Sequence, residues 1–211
     1  MTVNLVPLLT LATYVALLLL TLGLRAFLQW RATGGTGFRG FTGRPGSIEW
    51  IGGALFAVAA LGLLVGFGHA ALWNPTRLWD GALPAWVGAF LVLVGGVVTI
   101  WSQASMGASW RVGVDPSEST ALVTEGPFAW VRNPVFTSMA VGVFGLVLIV
   151  PTWVTLASFV ALLAALQIQV RLVEEPYLVA VHGDSYRSYA AGTGRFLPFL
   201  GKLDLTTPSG Q

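Results

Sequence analysis

Apolar residues in this chain come in long unbroken runs, not in the alternations of a soluble fold. The first run extends from about Leu5 to Phe27, the second from about Ile48 to Leu72 and the third from about Pro84 to Trp101. Each is close to the roughly 20 residues that a helix needs to cross a bilayer. A further stretch, Phe136 to Val170, is too long for one span, and Pro151 interrupts it near the middle. Proline removes a backbone donor and clashes with the preceding turn, so Pro151-Thr-Trp predicts a tight turn between two helices. The pattern predicts an all-α, polytopic membrane protein of about five transmembrane helices, the last two forming a helical hairpin.

Composition supports that reading. Of 211 residues, 55% are hydrophobic and 9% charged, and the mean hydropathy is +0.76. Soluble domains carry about 25% charged residues. A single membrane-embedded domain follows, with three helices in residues 1–101 and a polar loop, the hairpin and a cytoplasmic segment in residues 102–211. Cysteine is absent, which excludes disulfides, thiolate metal sites and cysteine nucleophiles. The net charge of +2 is small and its basic residues are scattered, so no nucleic-acid partner is expected. The two histidines, His69 and His182, lie far apart, and no metal site is expected. The first run has no basic residue before it and no small-x-small site after it, unlike a cleaved signal peptide.

Charge also predicts orientation. With five spans, ten of the eleven basic residues fall on one side, Arg77 alone on the other. Cytoplasmic loops are enriched in Lys and Arg, so the chain is expected N-out and C-in, multi-pass, with its polar chemistry on the cytoplasmic side. Apart from Glu49 at the very start of the second run, acidic residues lie outside the apolar runs, which argues against a proton-coupled transporter. Gly62 and Gly66 on the second run, and Gly88, Gly95 and Gly96 on the third, are expected to let helices approach closely.

Two polar segments stand out. The loop from Ser102 to Val135 holds an acidic turn (Asp115, Pro116, Glu118) and then Gly126-Pro-Phe-Ala-Trp-Val-Arg-Asn-Pro-Val-Phe136. Loops of this length are often functional or disordered, and the Trp, Phe and Pro content argues for order. Pro134 suits the first turn of the fourth helix, which places Arg132 and Asn133 where free N–H groups attract an anion. Arg132 serves equally well as a headgroup anchor. The second segment, Arg171-Leu-Val-Glu174-Glu175, sets two carboxylates beside an apolar helix, with Arg171 three and four residues before them. Arg171 can therefore pair with one carboxylate, either as a surface ion pair or as part of a site for a zwitterionic ligand. A short interfacial helix over His182 to Tyr189 is expected next, then Arg195-Phe-Leu-Pro198 and a loose tail from Leu203.

In order and spacing, Gly126-Pro-Phe-x-x-Val-Arg-Asn-Pro-x-Phe136, Glu174-Glu175-x-x-Leu178, Gly183-x-x-Tyr186-x-x-Tyr189 and Arg195-Phe-Leu-Pro198 resemble the isoprenylcysteine carboxyl methyltransferase family. Phospholipid methyltransferases share the general pattern. The resemblance covers about Ser102 to Pro198; the first two helices are generic. It implies an integral membrane methyltransferase using S-adenosylmethionine, with a lipophilic or lipid-modified acceptor such as an isoprenylcysteine carboxylate, and with membrane lipids as neighbours. The cofactor contacts it implies are Thr120, Ala121, Leu122, Val123, Phe128, Asn133, Pro134, Val135, Phe136 and Glu174. Arg171, Glu175 and Arg132 are the implied catalytic residues. In this mapping a glutamate pairs with the cofactor's ammonium, N–H groups around Asn133 take its carboxylate, and Phe128, Trp130 or Phe136 faces the sulfonium. The sequence departs from the family's Arg-His-Pro-x-Tyr at Asn133 and Phe136: Asn does not titrate near neutral pH and Phe lacks the hydroxyl. Two alternatives remain at this level. One is a membrane sterol reductase-like enzyme using NADPH, which would want more cationic residues than Arg132, Arg171 and Arg195. The other is a lipid-binding or scaffold bundle without activity.

Overall fold

The structure, a computed structural model, describes residues 3–37, 43–110 and 121–203. Thr120, Arg39, Arg111, the acidic turn at Asp115 to Glu118 and the tail from Asp204 lie outside the described residues. Among the described residues there are six helices: α1 (Leu5–Thr33), α2 (Ile48–Trp73), α3 (Ala82–Met106), α4 (Pro134–Ile149), α5 (Trp153–His182) and α6 (Asp184–Gly192). The fold is all-α. Helices α1, α2, α3 and α5 are long and apolar enough to cross a membrane, and α4 is a shorter apolar helix. The protein is a multi-pass membrane protein.

Local chemistry explains most helix ends. Ser47 caps α2 by accepting from the Trp50 amide, and Pro134 occupies the first turn of α4. The predicted break at Pro151 is present. Thr152 and Thr155 exchange side chain-to-amide bonds of 3.0 and 3.2 Å, a capping box that starts α5. Three boundaries differ from the sequence expectation. α1 continues past Phe27 to Thr33, where Gly34 turns left-handed (φ 77°) and ends it. α3 continues past Trp101, so Ser102 to Met106 are helical and not loop. α5 does not stop near Val170 but runs to His182 through a π-helical stretch, Gln169–Glu174. Hydropathy falls at these points, but backbone hydrogen bonding does not require apolar side chains.

Helix α3 packs along α4, α2 along α5, and α1 against α2. Small residues line these seams. A Cβ at Gly95 would stand 2.6 Å from the Gly142 amide nitrogen and the Ser138 carbonyl oxygen, and one at Gly88 2.5 Å from the Gly145 carbonyl oxygen. Gly62 and Gly66 lie against Ser158 and Thr155 of α5. Without hydrophobic drive between helices in lipid, such close approach and the Thr99–Ser138 hydrogen bond of 2.8 Å hold the pairs together. The shared core is Tyr14, Leu63, Phe67, Leu146, Val147 and Leu162 with their neighbours. At the polar end, Gln103 donates to the Thr21 carbonyl (2.9 Å) inside α1's π-helical stretch, Leu19–Leu24. Arg25 donates to the Gly107 carbonyl (2.5 Å) and lies 5.0 Å over the Trp110 ring. These contacts join the end of α1 to the end of α3.

Gly95→Val should therefore lower thermal stability in detergent by about 1–3 kcal/mol or more through overpacking. Gly68→Ala, where nothing lies within 4 Å of the added carbon, should leave the melting temperature nearly unchanged.

Candidate functional site

Three segments distant in sequence meet at the start of α4. Before it, Gly126–Ala129 forms a 3-10 turn that buries Pro127 and Phe128. Val131 then bridges in parallel to Gly194. The Arg132 amide donates to the Gly194 carbonyl (2.8 Å) and the Asn133 amide to the Arg195 carbonyl (3.1 Å). Asn133 Nδ2 donates to the same Arg195 carbonyl (3.1 Å), and Thr137 Oγ1 to the Phe196 carbonyl (2.9 Å). The segment after α6 is thus strapped along the first turn of α4. The strap already engages the amides of Arg132 and Asn133 that the sequence reading assigned to an anion.

Beneath the strap lies a buried charge cluster. Glu175, 7% exposed, accepts from Arg132 Nη2 at 2.6 Å and from Arg195 Nε and Nη2 at 2.8 and 2.7 Å. Arg132 also donates to the carbonyls of Ala190 (2.9 Å), Thr193 (2.5 Å) and Gly201 (3.0 Å). A carboxylate removed from water is tolerated only when paired and hydrogen-bonded, and Glu175 is gripped by two guanidiniums. The same hydrogen bonds to Glu175 raise the Arg195 pKa further above its ordinary value. Tyr186, on α6, is fully enclosed next to the cluster, and burial, with the Glu175 charge adding to it, pushes its phenol up to about 12. Tyr189 donates to the Phe128 carbonyl at 2.6 Å, and burial raises its pKa as well.

The structure brings Arg132, Asn133 and Glu175 of the sequence-derived set together. Pro134 is buried; Val135 and Phe136 are half-buried in the first turn of α4. Phe128 is buried, Leu122 and Val123 are half-buried and Ala121 is exposed. Glu174 is half-buried at the close of the π-helical stretch. Arg171 is exposed, and the partners of Glu175 are Arg132 and Arg195. The sequence reading had Arg195 only as a motif residue and a candidate to steer an acceptor. It stands 20 residues from Glu175, beyond any local periodicity, and only the Arg195-Phe-Leu-Pro198 motif pointed toward it.

A cavity of about 480 Å³ opens below the strap, between α4 and α5. Its walls include Phe136, Thr137, Phe159, Leu163, Gln167 and Phe196. Nearly all of that surface is apolar, and Leu163 on its flank is exposed to the surroundings of the helices. The cavity therefore suits an aliphatic or isoprenoid chain better than a soluble polar molecule.

These features define a class: an α-helical multi-pass membrane protein with an apolar groove headed by a buried ionic clasp. Residues 83–185, just under half of the chain, match the sequence model of the phospholipid methyltransferase (PEMT) family. The nickel-cobalt-cadmium resistance protein NccN of Alcaligenes xylosoxydans xylosoxydans is 31% identical over 123 residues, which are 58% of this chain and 55% of that protein. The chain thus spans about half the length of that curated relative. Among solved structures, the eukaryotic intramembrane Ras methyltransferase ICMT (isoprenylcysteine carboxyl methyltransferase) aligns at a TM-score of 0.49 and 18% identity, over 74% of this chain and 69% of that one.

Removing the carboxylate leaves two guanidiniums without their counter-charge, so Glu175→Ala should cost about 3–5 kcal/mol in a detergent unfolding assay. Arg171→Ala, at an exposed position, should change stability by no more than about 0.5 kcal/mol. Tyr186 predicts an alkaline limit. Its folded pKa lies above that of the unfolded chain, so its contribution is complete below pH ~10 and is lost as pH rises through about 12. Melting followed between those values should fall less steeply in Tyr186→Phe.

Proposed function

We propose that this protein is an integral membrane methyltransferase that uses S-adenosylmethionine to methylate a lipophilic acceptor, of the isoprenylcysteine-carboxylate kind, drawn from the bilayer. One observation carries the reading: Phe136, a residue expected at the cofactor, is also a wall of the apolar cavity between α4 and α5. Donor and acceptor would then meet at the head of the groove, under the strap.

The residues present fit the cofactor in part. Glu174, half-buried at the end of the π-helical stretch, is the carboxylate for the ammonium, and Phe128 and Phe136 are the aromatic faces for the adenine and sulfonium. Thr120, Ala121, Leu122, Val123, Asn133, Pro134 and Val135 complete the proposed pocket. Because the amides of Arg132 and Asn133 are engaged by the strap, the cofactor's carboxylate must find other donors, such as the amides that follow Pro134. When bound, S-adenosylmethionine would supply an electrophilic methyl group on a sulfonium, whose sulfur leaves as the neutral thioether of S-adenosylhomocysteine. A carboxylate acceptor needs no proton removed, so the side chains have to align the partners and keep water out. Phe136, Phe159 and Phe196 do the second task. Arg132 and Glu175 act as positioning residues that hold the first turn of α4 against the strap. Arg171, exposed on α5, is left to meet the acceptor's anionic end. The N-out, C-in orientation from the positive-inside pattern places this chemistry on the cytoplasmic side, with residues 102–211 supplying most of it.

Calorimetric titration of the purified full chain with S-adenosylhomocysteine tests the proposal. Saturable binding is expected, and Glu174→Ala should weaken it by about tenfold or more through loss of a charge-assisted bond. A folded sample that binds none would overturn the reading.

A further inference from the structure

The loop after the strap carries an apolar surface that extends beyond the groove. Leu197, Phe199 and Leu200 are 54%, 80% and 61% exposed, and Pro198 is exposed with them. The exposure is held in place by structure. The Arg195 amide donates to the Leu200 carbonyl (2.8 Å) and the Leu200 amide to the Leu197 carbonyl (3.2 Å), closing the loop on itself. It folds tightly over Gly194, where a Cβ would meet the Leu200 carbonyl oxygen and the Phe199 nitrogen at 2.9 Å. Gly201, just beyond, is anchored through its carbonyl to Arg132. Phe199 itself takes a left-handed backbone (φ 68°), which costs a bulky residue on the order of 1–3 kcal/mol. Burying a Phe or Leu contributes roughly 1.5–3 kcal/mol, which a loop pointing three of them into water would forgo.

The position of the loop says what covers it. Thr137 in the first turn of α4 holds the Phe196 carbonyl, so the loop stands level with the start of an apolar helix and not out beyond it. Phe196 and Leu197 also line the apolar groove, making the loop continuous with the lipid-facing surface. Its charge is complementary to a membrane surface. Lys202, the lone lysine, lies 5.5 Å over the Phe199 ring, while Arg187 on the neighbouring α6 is paired with Asp184 at 3.0 Å. An apolar tip with a cation behind it is the arrangement of interfacial anchors, which sink about 5–10 Å into the headgroup boundary.

The geometry points to the Leu197–Leu200 loop as an interfacial anchor: Leu197, Phe199 and Leu200 enter the adjoining leaflet and Lys202 meets an anionic headgroup. The anchor sets the depth of the groove's mouth, since Phe196 and Leu197 belong to both.

The chain has no cysteine, so single substitutions can be labelled without background. Phe199→Cys and Leu200→Cys, each carrying a polarity-sensitive fluorophore, would be compared with Ser185→Cys on exposed α6 in the full chain. Nanodiscs of phosphatidylcholine, alone or mixed with phosphatidylglycerol, supply the two surfaces. Both loop labels should be blue-shifted and several-fold more sensitive than the Ser185 label to shallow spin-labelled lipid. Phosphatidylglycerol should increase that quenching, and Lys202→Glu should abolish the increase. Water-like emission with free access to iodide at both loop positions overturns the anchor. So does shielding from iodide without lipid quenching, which would mean protein covers the loop. Immersion indifferent to lipid charge overturns the role of Lys202. The readout needs no methyl donor, so it stands or falls separately from the proposed catalysis.

Discussion

A carboxylate buried at the edge of a membrane bundle must be neutralised by its surroundings, and around Glu175 the chain is arranged to do so. Arg132 comes from the segment before α4 and Arg195 from the segment after α6, and both converge on the one carboxylate. Arg132 also donates from Nη1 and Nη2 to three carbonyls of the returning chain. The ionic clasp therefore does more than balance charge. It brings residues 190–201 back over the polar end of α4, where amide and side-chain hydrogen bonds at Arg132, Asn133 and Thr137 fasten them. Charge that would be costly alone becomes the tie between segments that share no helix.

The membrane imposes the second constraint. Helices in lipid gain little from burying apolar side chains against one another, so approach distance and hydrogen bonds decide which pair. Glycines 88 and 95 bring α3 to α4, while Gly62 and Gly66 bring α2 to α5. Because α4 and α5 each have a closer partner elsewhere, their own shared flank is left loosely filled below the Pro151 turn. The large apolar cavity lies along that flank, and its upper wall is made by the strap through Phe196. Packing preferences in one part of the bundle thus open a space in another, and the clasp closes its top.

Much of this was legible in the residues. The apolar runs, the proline break at Pro151, the helix start at Pro134 and the small-residue seams all depend on local chemistry: run length, a missing donor, the absence of a side chain. Helix ends were harder. α1, α3 and α5 each outlast their apolar run, because the backbone carries on hydrogen bonding where side chains become polar. The motifs behind the methyltransferase resemblance lie in order along the chain, and the segment that the phospholipid methyltransferase model matches overlaps them.

Sequence by itself determined that this is an all-α chain with helices apolar enough to cross a membrane, roughly where those helices lie, and which polar segments interrupt them. Those features follow from interactions between residues within about a helical turn, or from the cost of placing a side chain in lipid. Tertiary structure alone decided how the polar residues are used. Spacing put only Arg171 within local reach of the glutamate pair, whereas Glu175 is held by residues 43 positions before it and 20 after it. Likewise, amides of Arg132 and Asn133 that looked free at a helix start are engaged by a returning strand. Ion pairs and strap contacts of that separation depend on where distant segments are brought in space, which no local pattern encodes.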